Sequence, residues 1–515
     1  MIRDSVPLNG DFLASILMPY GDGSADQTLP ANELLARSLI PAGTASDRDF
    51  SGLSPLLPAL DMSRCVGCMA CVNACPDAAL LAVAVPEVDV ERGIAQIASQ
   101  DATCTSADEL HEHFVVTQKY AEVPKRRGIQ PALFGLFVDA TRCKGCAECV
   151  EVCTALGHDA IVMAAKAEES GTDTGIVERA QRGMDLYRLL PPTPPEYRNE
   201  KALADLMLGE HAYGYVGGAG SCAGCGEGTA IRMLVAATRQ MHGPESMGIV
   251  AATGCNTVFG STYPYNPYLV PWTNSLFENA PADALGIRLR WDQEGHPERR
   301  LWVIGGDGAM YDIGFQALSR MVSSGMDIKV LVLDGQVYSN TGGQSSTASF
   351  GGQVTKLSAF GAAVLVGHGE VYVAQTTPAH TNHFYRSIIE ANEYPGPAVV
   401  IAYTPCPVEH GIADDAANRQ AKLAVDTRAF PIFTYDPRRG ATLAERLSLQ
   451  GNPSQRDDWS RDASGTEIDF LDFARSEGRF AAHFGTDGTP TPEIEQTRDE
   501  RLANWRTLQE MSGLR

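Results

Sequence analysis

The feature of this chain that most constrains its fold is a cysteine spacing, CxxCxxCxxxC, that occurs twice. The first copy, CVGCMACVNACP, contains Cys65, Cys68, Cys71 and Cys75, and the second, CKGCAECVEVC, contains Cys143, Cys146, Cys149 and Cys153. Three cysteines separated by two residues can bind three corners of a four-iron cubane, while the fourth turns away and serves the sister cluster. The repeat therefore predicts two 4Fe-4S clusters. One would be bound by Cys65, Cys68, Cys71 and Cys153, and the other by Cys143, Cys146, Cys149 and Cys75.

Zinc is the alternative metal for clustered cysteines, but zinc ribbons use two separated CxxC pairs and not a doubled CxxCxxCxxxC. The repeat departs from a minimal bacterial ferredoxin in two ways. Thr154 stands where a proline is expected after the last cysteine, and an insertion runs from residue 85 to about residue 137. Neither change removes a ligand. Cys104 lies in the insertion without a partner at ligand spacing, so we expect it to be a small apolar side chain.

Charge and cysteine content narrow the class of protein. The chain has 515 residues with 41 Lys and Arg and 63 Asp and Glu, a net charge of −22, which argues against nucleic acid or an anionic membrane as a partner. We find no run of eighteen apolar residues and no secretory signal, so we expect a cytoplasmic protein without a membrane span. The cytosol keeps thiols reduced, so thirteen cysteines favour metal ligands over disulfides.

Residues 301–344 form a second constraining unit. An apolar run ends at a GGDG turn that contains Asp307. Apolar side chains then recur at helical spacing over residues 313–322. Residues 328–333 form another apolar run, which ends at Asp334. Two parallel strands joined by one helix bring their carboxyl ends to the same edge of a sheet. We therefore expect Asp307 and the loop after Asp334 to lie together, at an edge that could hold a metal ion and a diphosphate.

Four further cysteines lie near ends of predicted elements. Cys222 and Cys225 form a CxxC in a glycine-rich stretch, Cys255 follows an apolar strand over residues 247–252, and Cys406 follows another strand. Strands of one parallel sheet deliver their carboxyl ends to one edge, so these four cysteines could bind a third 4Fe-4S cluster there. A four-cysteine zinc site, or unrelated buried cysteines, remain the alternatives. Three four-cysteine sites would use twelve of the thirteen cysteines.

Residues 61–436 resemble the pyruvate:ferredoxin oxidoreductases and related 2-oxoacid:acceptor oxidoreductases. Beside the cysteine repeat, the motifs that carry the resemblance are SCAGCGE (221–227), ATGC (252–255), PWTNSLFENA (271–280), GDGAMYDIG (306–314), VYSNTGGQSS (337–346), PGPAVVIAY (395–403) and FPIFTYDPR (430–438). The sequences YDIG and YSNTGGQSS resemble the pyruvate branch more than the 2-oxoglutarate branch.

The resemblance implies an α/β fold, in which a thiamine diphosphate-binding parallel-sheet domain is preceded by an α+β two-cluster bacterial ferredoxin-like domain. The predicted organisation is an extended lead-in (1–60), the ferredoxin-like domain (61–190), a proline-rich linker (191–200), the thiamine diphosphate-binding domain with the third cluster (201–435) and a polar C-terminal arm (436–515).

The resemblance also implies a set of residues that contact thiamine diphosphate. These are Glu227, Cys255, Gly306, Asp307, Gly308, Ala309, Gly335, Gln336, Val337, Tyr338, Ser339 and Asn340. Asp307 and the Val337 carbonyl would bind Mg²⁺, and Asn340 would lie nearest the reacting carbons as the catalytic residue. The family commonly supplies a threonine hydroxyl as a further magnesium ligand at the position of Gly335, which has no side-chain oxygen.

The implied activity is oxidative decarboxylation of a 2-oxoacid, most consistent with pyruvate, to acyl-CoA and CO₂, or the reverse. Three 4Fe-4S clusters would carry electrons to a ferredoxin or flavodoxin, with coenzyme A as co-substrate. We expect a hetero-oligomer in which a second subunit, of the alpha or gamma type, completes the active site, and Lys125, Arg126 and Arg127 form either a solvated loop or part of a docking site for an acidic ferredoxin. Two alternatives are a related enzyme acting on a substrate such as 2-oxoglutarate, and an electron-transfer subunit whose thiamine-like domain is not catalytic.

Overall fold

A computed structural model describes residues 10–29, 31–100, 107–166, 175–199, 201–217, 220–349 and 366–515. The chain divides into two compact units. The first comprises residues 1–224, 231–244 and 260–269, and the second comprises residues 225–230, 245–259 and 270–515. Cys104 lies outside the described residues, so its predicted role stays untested. In the described ranges, no helix is both long enough and apolar enough to cross a bilayer.

Two small antiparallel sheets form the first unit. Its strands are β1 (Leu56–Leu60), β2 (Leu80–Pro86), β3 (Phe114–Val115), β4 (Ala132–Val138) and β5 (Ile161–Ala165). Strand β1 pairs with β5, and β4 lies between β2 and β3. Apolar side chains fill β2 and β4 almost continuously, and most of their residues are buried in one core. The predicted insertion therefore contains strand β3, most of strand β4 and several helices of this unit.

The helices of the first unit are mostly short. They are Gly10–Phe12, Leu13–Leu17, Met18–Asp22, Ser24–Asp26, Glu33–Ala36, Thr44–Asp47, Met62–Arg64, Ala70–Ala74, Glu87–Gln100, Ala107–His111, Gln118–Glu122, Val123–Arg126, Glu148–Ala155, Gly175–Leu189, Pro195–Tyr197 and Leu203–Leu208. One longer helix, Gly226–His242, belongs to both units.

Two predicted segments lie in the first unit. In the lead-in, Phe12, Ile16 and Leu17 form a buried apolar cluster within short helices. The proline-rich stretch 191–200 also belongs to this unit. The hydroxyl of Thr193, which is buried, accepts a hydrogen bond from the Ala84 backbone N at 2.9 Å, so this stretch packs against the sheet.

The second unit is built on a large sheet. The strands of this sheet are β6 (Met247–Ala252), β7 (Trp272–Ser275), β8 (Arg300–Gly306), β9 (Ile328–Asp334), β10 (Tyr372–Thr376), β11 (Ala398–Tyr403), β12 (Phe433–Tyr435) and β13 (Leu447–Ser448). Strands β14 (Ser460–Arg461) and β15 (Glu467–Ile468) form a separate antiparallel pair. The described strands of the main sheet run in the order β13-β12-β10-β11-β9-β8-β6-β7. All adjacent pairs from β10 to β7 are parallel, and β12 and β13 pair antiparallel at one end. The predicted α/β fold with a mainly parallel sheet is confirmed.

The helices of the second unit connect these strands. They are Cys255–Gly260, Ala280–Glu294, Gly308–Ile313, Phe315–Ser323, Ser339–Thr341, Thr381–Glu393, Pro407–His410, Ala417–Asp426, Pro437–Arg439, Leu443–Arg446, Phe470–Arg475, Gly478–His483 and Pro492–Met511. Residues 301–344 contain the predicted strand, turn, helix and strand. These are β8, the helices Gly308–Ile313 and Phe315–Ser323, and β9. The first turn after Asp307, Gly308–Ile313, is a wider π-type turn that the sequence pattern did not predict.

The C-terminal arm, although polar in composition, packs against the core of the second unit. Phe470, Phe473, Ile494 and Trp505 are each fully buried in the core of the second unit. The indole N–H of Trp505 donates to the Asp457 carbonyl at 2.8 Å. Sparse aromatic residues therefore anchor a segment whose remaining surface is charged, which bulk composition conceals.

Candidate cluster and cofactor sites

The two cysteine repeats have the same backbone conformation. In the first, Gly67 and Met69 flank Cys68 and both have positive φ, at 70°. In the second, Gly145 and Ala147 flank Cys146, with φ of 74° and 68°. A non-glycine residue in this region is uncommon, so its recurrence at both equivalent positions marks a shared loop geometry. The sequence repeat is therefore also a structural repeat.

The eight cysteines of the repeats line two separate cavities. One cavity is lined by Cys65, Cys68, Cys71 and Cys153. The other is lined by Cys75, Cys143, Cys146 and Cys149. This grouping places the fourth cysteine of each repeat with the first three of the other, as the spacing predicts. No three His, Cys, Asp or Glu side chains of the described residues form a group recognisable as a site for a single ion. The assignment of these thiols to clusters remains a prediction.

The fourth cysteines have matching surroundings. Cys75 Sγ accepts a hydrogen bond from Ala79 N, and Cys153 Sγ accepts one from Ala160 N, both at 3.3 Å. Burial raises the pKa of Cys75, and the Arg232 guanidinium opposes this by favouring the thiolate. Amide N–H groups and a buried cation near sulfur are the kind of features that tune cluster potentials.

Lys144 lies inside the second repeat, between Cys143 and Cys146. Its Nζ donates to the carbonyl and the hydroxyl of Ser221, at 2.8 and 2.9 Å, and lies 2.6 Å from Asp77 Oδ1. Ser221 immediately precedes Cys222 in the chain. Within the first unit, this lysine therefore connects the loop of Cys143 and Cys146 to the residue before Cys222.

Three of the four cysteines predicted for the third cluster lie in the second unit. Gly226 N donates a hydrogen bond to the Pro405 carbonyl at 3.3 Å. A Cβ atom on residue 226 would lie only 2.8 Å from the Pro405 backbone. The segments of Cys225 and Cys406 can therefore approach this closely because residue 226 is glycine. Burial raises the pKa of Cys255, and negative charge on Glu227, Cys225 and Cys406 raises it further, so these groups lie near its sulfur. Cys222 is exposed and belongs to the first unit.

A cavity of the second unit contains most of the residues predicted to contact thiamine diphosphate. Its empty volume is about 420 Å³, including open solvent. It is lined by Glu227, Thr253, Gly254, Cys255, Asn256, Phe277, Gly306, Asp307, Gly308, Ala309, Val337, Tyr338, Ser339, Asn340 and Thr341. Two predicted residues, Gly335 and Gln336, are not part of this lining. Thr253, Gly254, Asn256, Phe277 and Thr341 line the cavity but were not predicted.

Two buried carboxylates meet where β8 and β9 end. Asp307 is 2% exposed and Asp334 is 1% exposed. Burial raises the pKa of both side chains, and the negative charge of Asp307 raises that of Asp334 further. Asp307 accepts hydrogen bonds from Gly335 N, at 3.2 Å, and from the Ser346 hydroxyl, which favour its charged form. Two acidic groups this deeply buried favour a divalent cation nearby.

The cavity also contains polar atoms without protein partners. Glu227 Oε2 and Asn256 Oδ1 are buried and have no hydrogen-bond partner among the described residues. Burial raises the pKa of Glu227 to about 8, with a further contribution from Asp307. Asn340 is exposed, and its side chain lowers the pKa of Cys255 against the larger effect of burial, so the two side chains are near neighbours. Unpaired buried polar atoms are costly, so they indicate that the cavity receives a polar ligand.

A group of charged side chains that sequence reasoning missed supports the loop after β9. His410 Nε2 donates to the Gly335 carbonyl at 2.7 Å, and its Nδ1 lies 3.4 Å from Glu477 Oε1. Arg479 Nε donates to Glu477 at 2.5 Å, and its Nη2 donates to Gln336 Oε1 at 2.8 Å. Only this convergence in space identifies them, because residues 410 and 477 lie outside every recognised motif.

Known proteins resemble the chain in both units. The C-terminal binding domain of thiamine pyrophosphate (thiamine diphosphate) enzymes matches residues 252–402, and the 4Fe-4S binding domain matches residues 58–81. A probable pyruvate-flavodoxin oxidoreductase of Escherichia coli K12 is 29% identical over 88% of this chain and 42% of its own length. A pyruvate:ferredoxin oxidoreductase of Moorella thermoacetica is 25% identical over 83% of this chain and 40% of its own.

A solved 2-oxoglutarate:ferredoxin oxidoreductase from Magnetococcus marinus superposes on 36% of this chain and 64% of that one, with a TM-score of 0.31 and 23% identity. The chain spans less than half the length of the two pyruvate oxidoreductases. The two domain families match residues 252–402 and 58–81, which agree with the positions of the predicted thiamine diphosphate-binding sheet and of the first cysteine repeat.

Proposed function

We propose that this chain, as a member of the pyruvate:ferredoxin and pyruvate-flavodoxin oxidoreductase family, has two roles in a CoA-dependent 2-oxoacid oxidoreductase. It carries the diphosphate-binding part and the electron-transfer part of that enzyme. The proposed reaction is oxidative decarboxylation, with pyruvate as the substrate, to acyl-CoA and CO₂, or its reverse. The observation that carries the proposal is that Asp307, Asn340 and Cys255 line one cavity, because this joins the cofactor site to a predicted cluster ligand.

The residues present fit thiamine diphosphate with Mg²⁺. Buried Asp307 and Asp334 offer negative charge to a cation, and Glu227 and Asn256 offer unpaired polar atoms to an organic cofactor. Asp307 and the Val337 carbonyl would hold the magnesium ion, which prefers oxygen ligands. When bound, thiamine diphosphate supplies the nucleophilic carbon and the electron sink that decarboxylation of a 2-oxoacid requires.

The chain's own residues would orient and stabilise the reacting groups. The Asn340 side chain is neutral, so it can stabilise developing charge without competing as a base. Its exposed position at the cavity lets it face a substrate. Gly308 is packed under the Tyr338 ring, and the Tyr338 hydroxyl donates to Asp312 Oδ2 at 2.8 Å, which fixes one wall of the cavity.

The contacts of Lys144 support an order for electron transfer. We propose that electrons enter at a third 4Fe-4S cluster bound by Cys222, Cys225, Cys255 and Cys406. They would pass next to the cluster of the Cys143 loop, since Lys144 in that loop binds Ser221 beside Cys222. The cluster of the Cys65 loop would follow and reduce a ferredoxin or flavodoxin, the acceptors in the names of the relatives.

The rest of the active site would come from a partner subunit of the alpha or gamma type. Among the described residues that line the cavity, we assign none to the 2-oxoacid carboxylate or to coenzyme A. The proposed assembly is a hetero-oligomer in which the substrate binds between this chain and the partner.

Binding of the cofactor by the purified complex tests the proposal. The complex should bind thiamine diphosphate in a magnesium-dependent manner, measured by titration calorimetry, and adding 2-oxoacid and coenzyme A under anaerobic conditions should reduce clusters, measured by electron paramagnetic resonance. If thiamine diphosphate fails to bind at saturating magnesium while the clusters accept electrons from a chemical donor, the chain is an electron-transfer subunit instead.

A further inference from the structure

Residue 335, at the start of the loop after β9, is glycine, yet the space beside it is not empty. A Cβ built on Gly335 would lie 3.3 Å from Ser339 Oγ, 3.7 Å from the Thr404 carbonyl oxygen and 4.0 Å from Asp307 Oδ1. Three oxygen atoms from three segments of the chain therefore surround the point where a side chain would begin. A distance of 3.3 Å is already tighter than ordinary carbon–oxygen contact, so a larger residue at 335 would press against Ser339.

The Ser339 hydroxyl is suitably placed for a cation beside Asp307. It lines the same cavity as Asp307 and the Val337 backbone. It makes no hydrogen bond to any other described residue, and its side chain is half-buried. The backbone around it is fixed, because residues 339–341 form one turn of helix and Gly342 N donates back to the Ser339 carbonyl.

The chemistry of magnesium fits this arrangement. Mg²⁺ takes oxygen ligands at about 2.0–2.1 Å in an octahedron, so adjacent ligand atoms lie about 3 Å apart. Asp307 Oδ1 and Ser339 Oγ both lie within 4.0 Å of one point beside Gly335. One oxygen of Asp307 already accepts from Ser346, and the other faces Gly335 N and the Ser339 side of the loop.

We propose that Ser339 Oγ is a ligand of the magnesium ion, and that glycine at 335 is the residue that gives this hydroxyl its space. The inference rests on the proposed thiamine diphosphate site and assigns one of its ligands. It predicts that a hydroxyl at position 335 and the hydroxyl of Ser339 are alternative ligands, since both would lie on the same side of Asp307.

The test compares four forms of the chain, each purified as the complex and freed of thiamine diphosphate and divalent ions. Titration calorimetry at a fixed excess of thiamine diphosphate gives the magnesium concentration for half-saturation. We expect Ser339→Ala to raise this concentration at least about tenfold, as loss of groups around a metal commonly does. Gly335→Thr alone should not lower it, whereas Gly335→Thr combined with Ser339→Ala should recover most of the loss, because the threonine hydroxyl then replaces the serine hydroxyl.

Ser345→Ala is the matched control, because Ser345 is an exposed hydroxyl of the same loop that does not line the cavity, and it should leave the magnesium dependence unchanged. Iron content, measured on each form, reports whether a variant has damaged the protein. Unchanged magnesium dependence in Ser339→Ala would overturn the proposal. So would a loss that the double variant does not recover, since the hydroxyl would then act within the loop and not on the cation. A wild-type complex that binds no thiamine diphosphate would instead reject the proposed function.

Discussion

Arg479 donates a hydrogen bond to Gln336 Oε1 at 2.8 Å, although the two residues are 143 positions apart in the chain. The same guanidinium donates to Glu477, which is 1% exposed and also accepts from the Tyr403 hydroxyl at 2.9 Å. Through His410, this group reaches the Gly335 carbonyl. The C-terminal segment therefore holds the loop of the cofactor cavity in place by buried charges.

Removing Arg479 should destabilise the second unit. Arg479→Met would leave the buried carboxylate of Glu477 without its strongest partner, which typically costs about 3–5 kcal/mol. We expect a lower urea midpoint, followed by tryptophan fluorescence, and weaker thiamine diphosphate binding. Combining Arg479→Met with Glu477→Gln should recover much of the stability, because the unpaired charge is then absent. If the double variant is no more stable than Arg479→Met, the ion pair is not the cause.

The stabilising effect of Glu477 should depend on pH. Burial alone would raise the pKa of Glu477, but the Arg479 guanidinium and His410 outweigh it and lower this pKa from 4.5 to about 2. A lowered pKa in the folded protein stabilises it above pH 4.5, and the contribution is lost as pH falls from about 4.5 towards 2. The full effect is about 3 kcal/mol at 1.36 kcal/mol per pKa unit. The difference in urea midpoint between wild type and Glu477→Gln should therefore be constant near pH 7 and shrink below about pH 4.5. Glu467→Gln alters an exposed carboxylate and serves as the control, and its urea midpoint should differ from that of wild type by the same amount at each pH.

Much of this arrangement follows from local sequence patterns. The cysteine spacing predicted which thiols share a cavity because cluster ligation is set by loops only a few residues long. The apolar runs predicted β8 and β9, and their parallel pairing brought Asp307 to Gly335. These features depend on neighbours in sequence.

The features that the sequence did not predict depend on distant contacts. Thr193 binds Ala84, which fixes a proline-rich stretch that composition alone assigns to a linker. Glu477 can support the loop after β9 only because the fold places it beside His410, which is distant in sequence. Charge in a polar C-terminal segment usually indicates exposure, and only the fold shows that this carboxylate is buried.

The cluster assignments predict how much iron each substitution removes. Three 4Fe-4S clusters require about twelve iron and twelve sulfide per chain in anaerobically prepared complex. Cys255→Ser and Cys406→Ser should each remove about four iron and leave the paramagnetic signals of the other two clusters. Cys153→Ser should affect the same signal as Cys65→Ser, since these thiols share a cavity, and not the signal lost in Cys143→Ser. A wild-type value near eight iron with stoichiometric zinc would contradict the third cluster.

The basic run on the first unit predicts a salt-dependent encounter with an acidic electron carrier. Lys125, Arg126 and Arg127 are exposed, in a chain of net charge −22. The nearby Tyr120 packs against Gly67 of the Cys65 loop, which brings this segment to the cluster proposed to reduce the carrier. Changing all three to Gln should slow carrier reduction at low salt and flatten its dependence on ionic strength. Arg290→Gln, another exposed cation, should have little effect, and unchanged kinetics in the triple variant would leave the run as a solvated loop.

Asp307→Asn should separate cofactor binding from protein stability. The amide keeps the size of the side chain but removes the negative charge that would hold magnesium, so we expect thiamine diphosphate affinity to fall at least about 100-fold, or about 2.8 kcal/mol at 1.4 kcal/mol per tenfold change. Without cofactor, the variant should be as stable as wild type or more so, because a buried charge without a cation is unfavourable. With thiamine diphosphate and magnesium at about 100 times the wild-type dissociation constant, wild type should gain about 2.7 kcal/mol of stability and the variant almost none. Thermal unfolding with and without cofactor measures this crossing, and Asp414→Asn, which alters an exposed carboxylate, should behave as wild type. An equal gain of stability in Asp307→Asn and wild type would show that Asp307 does not hold the cation.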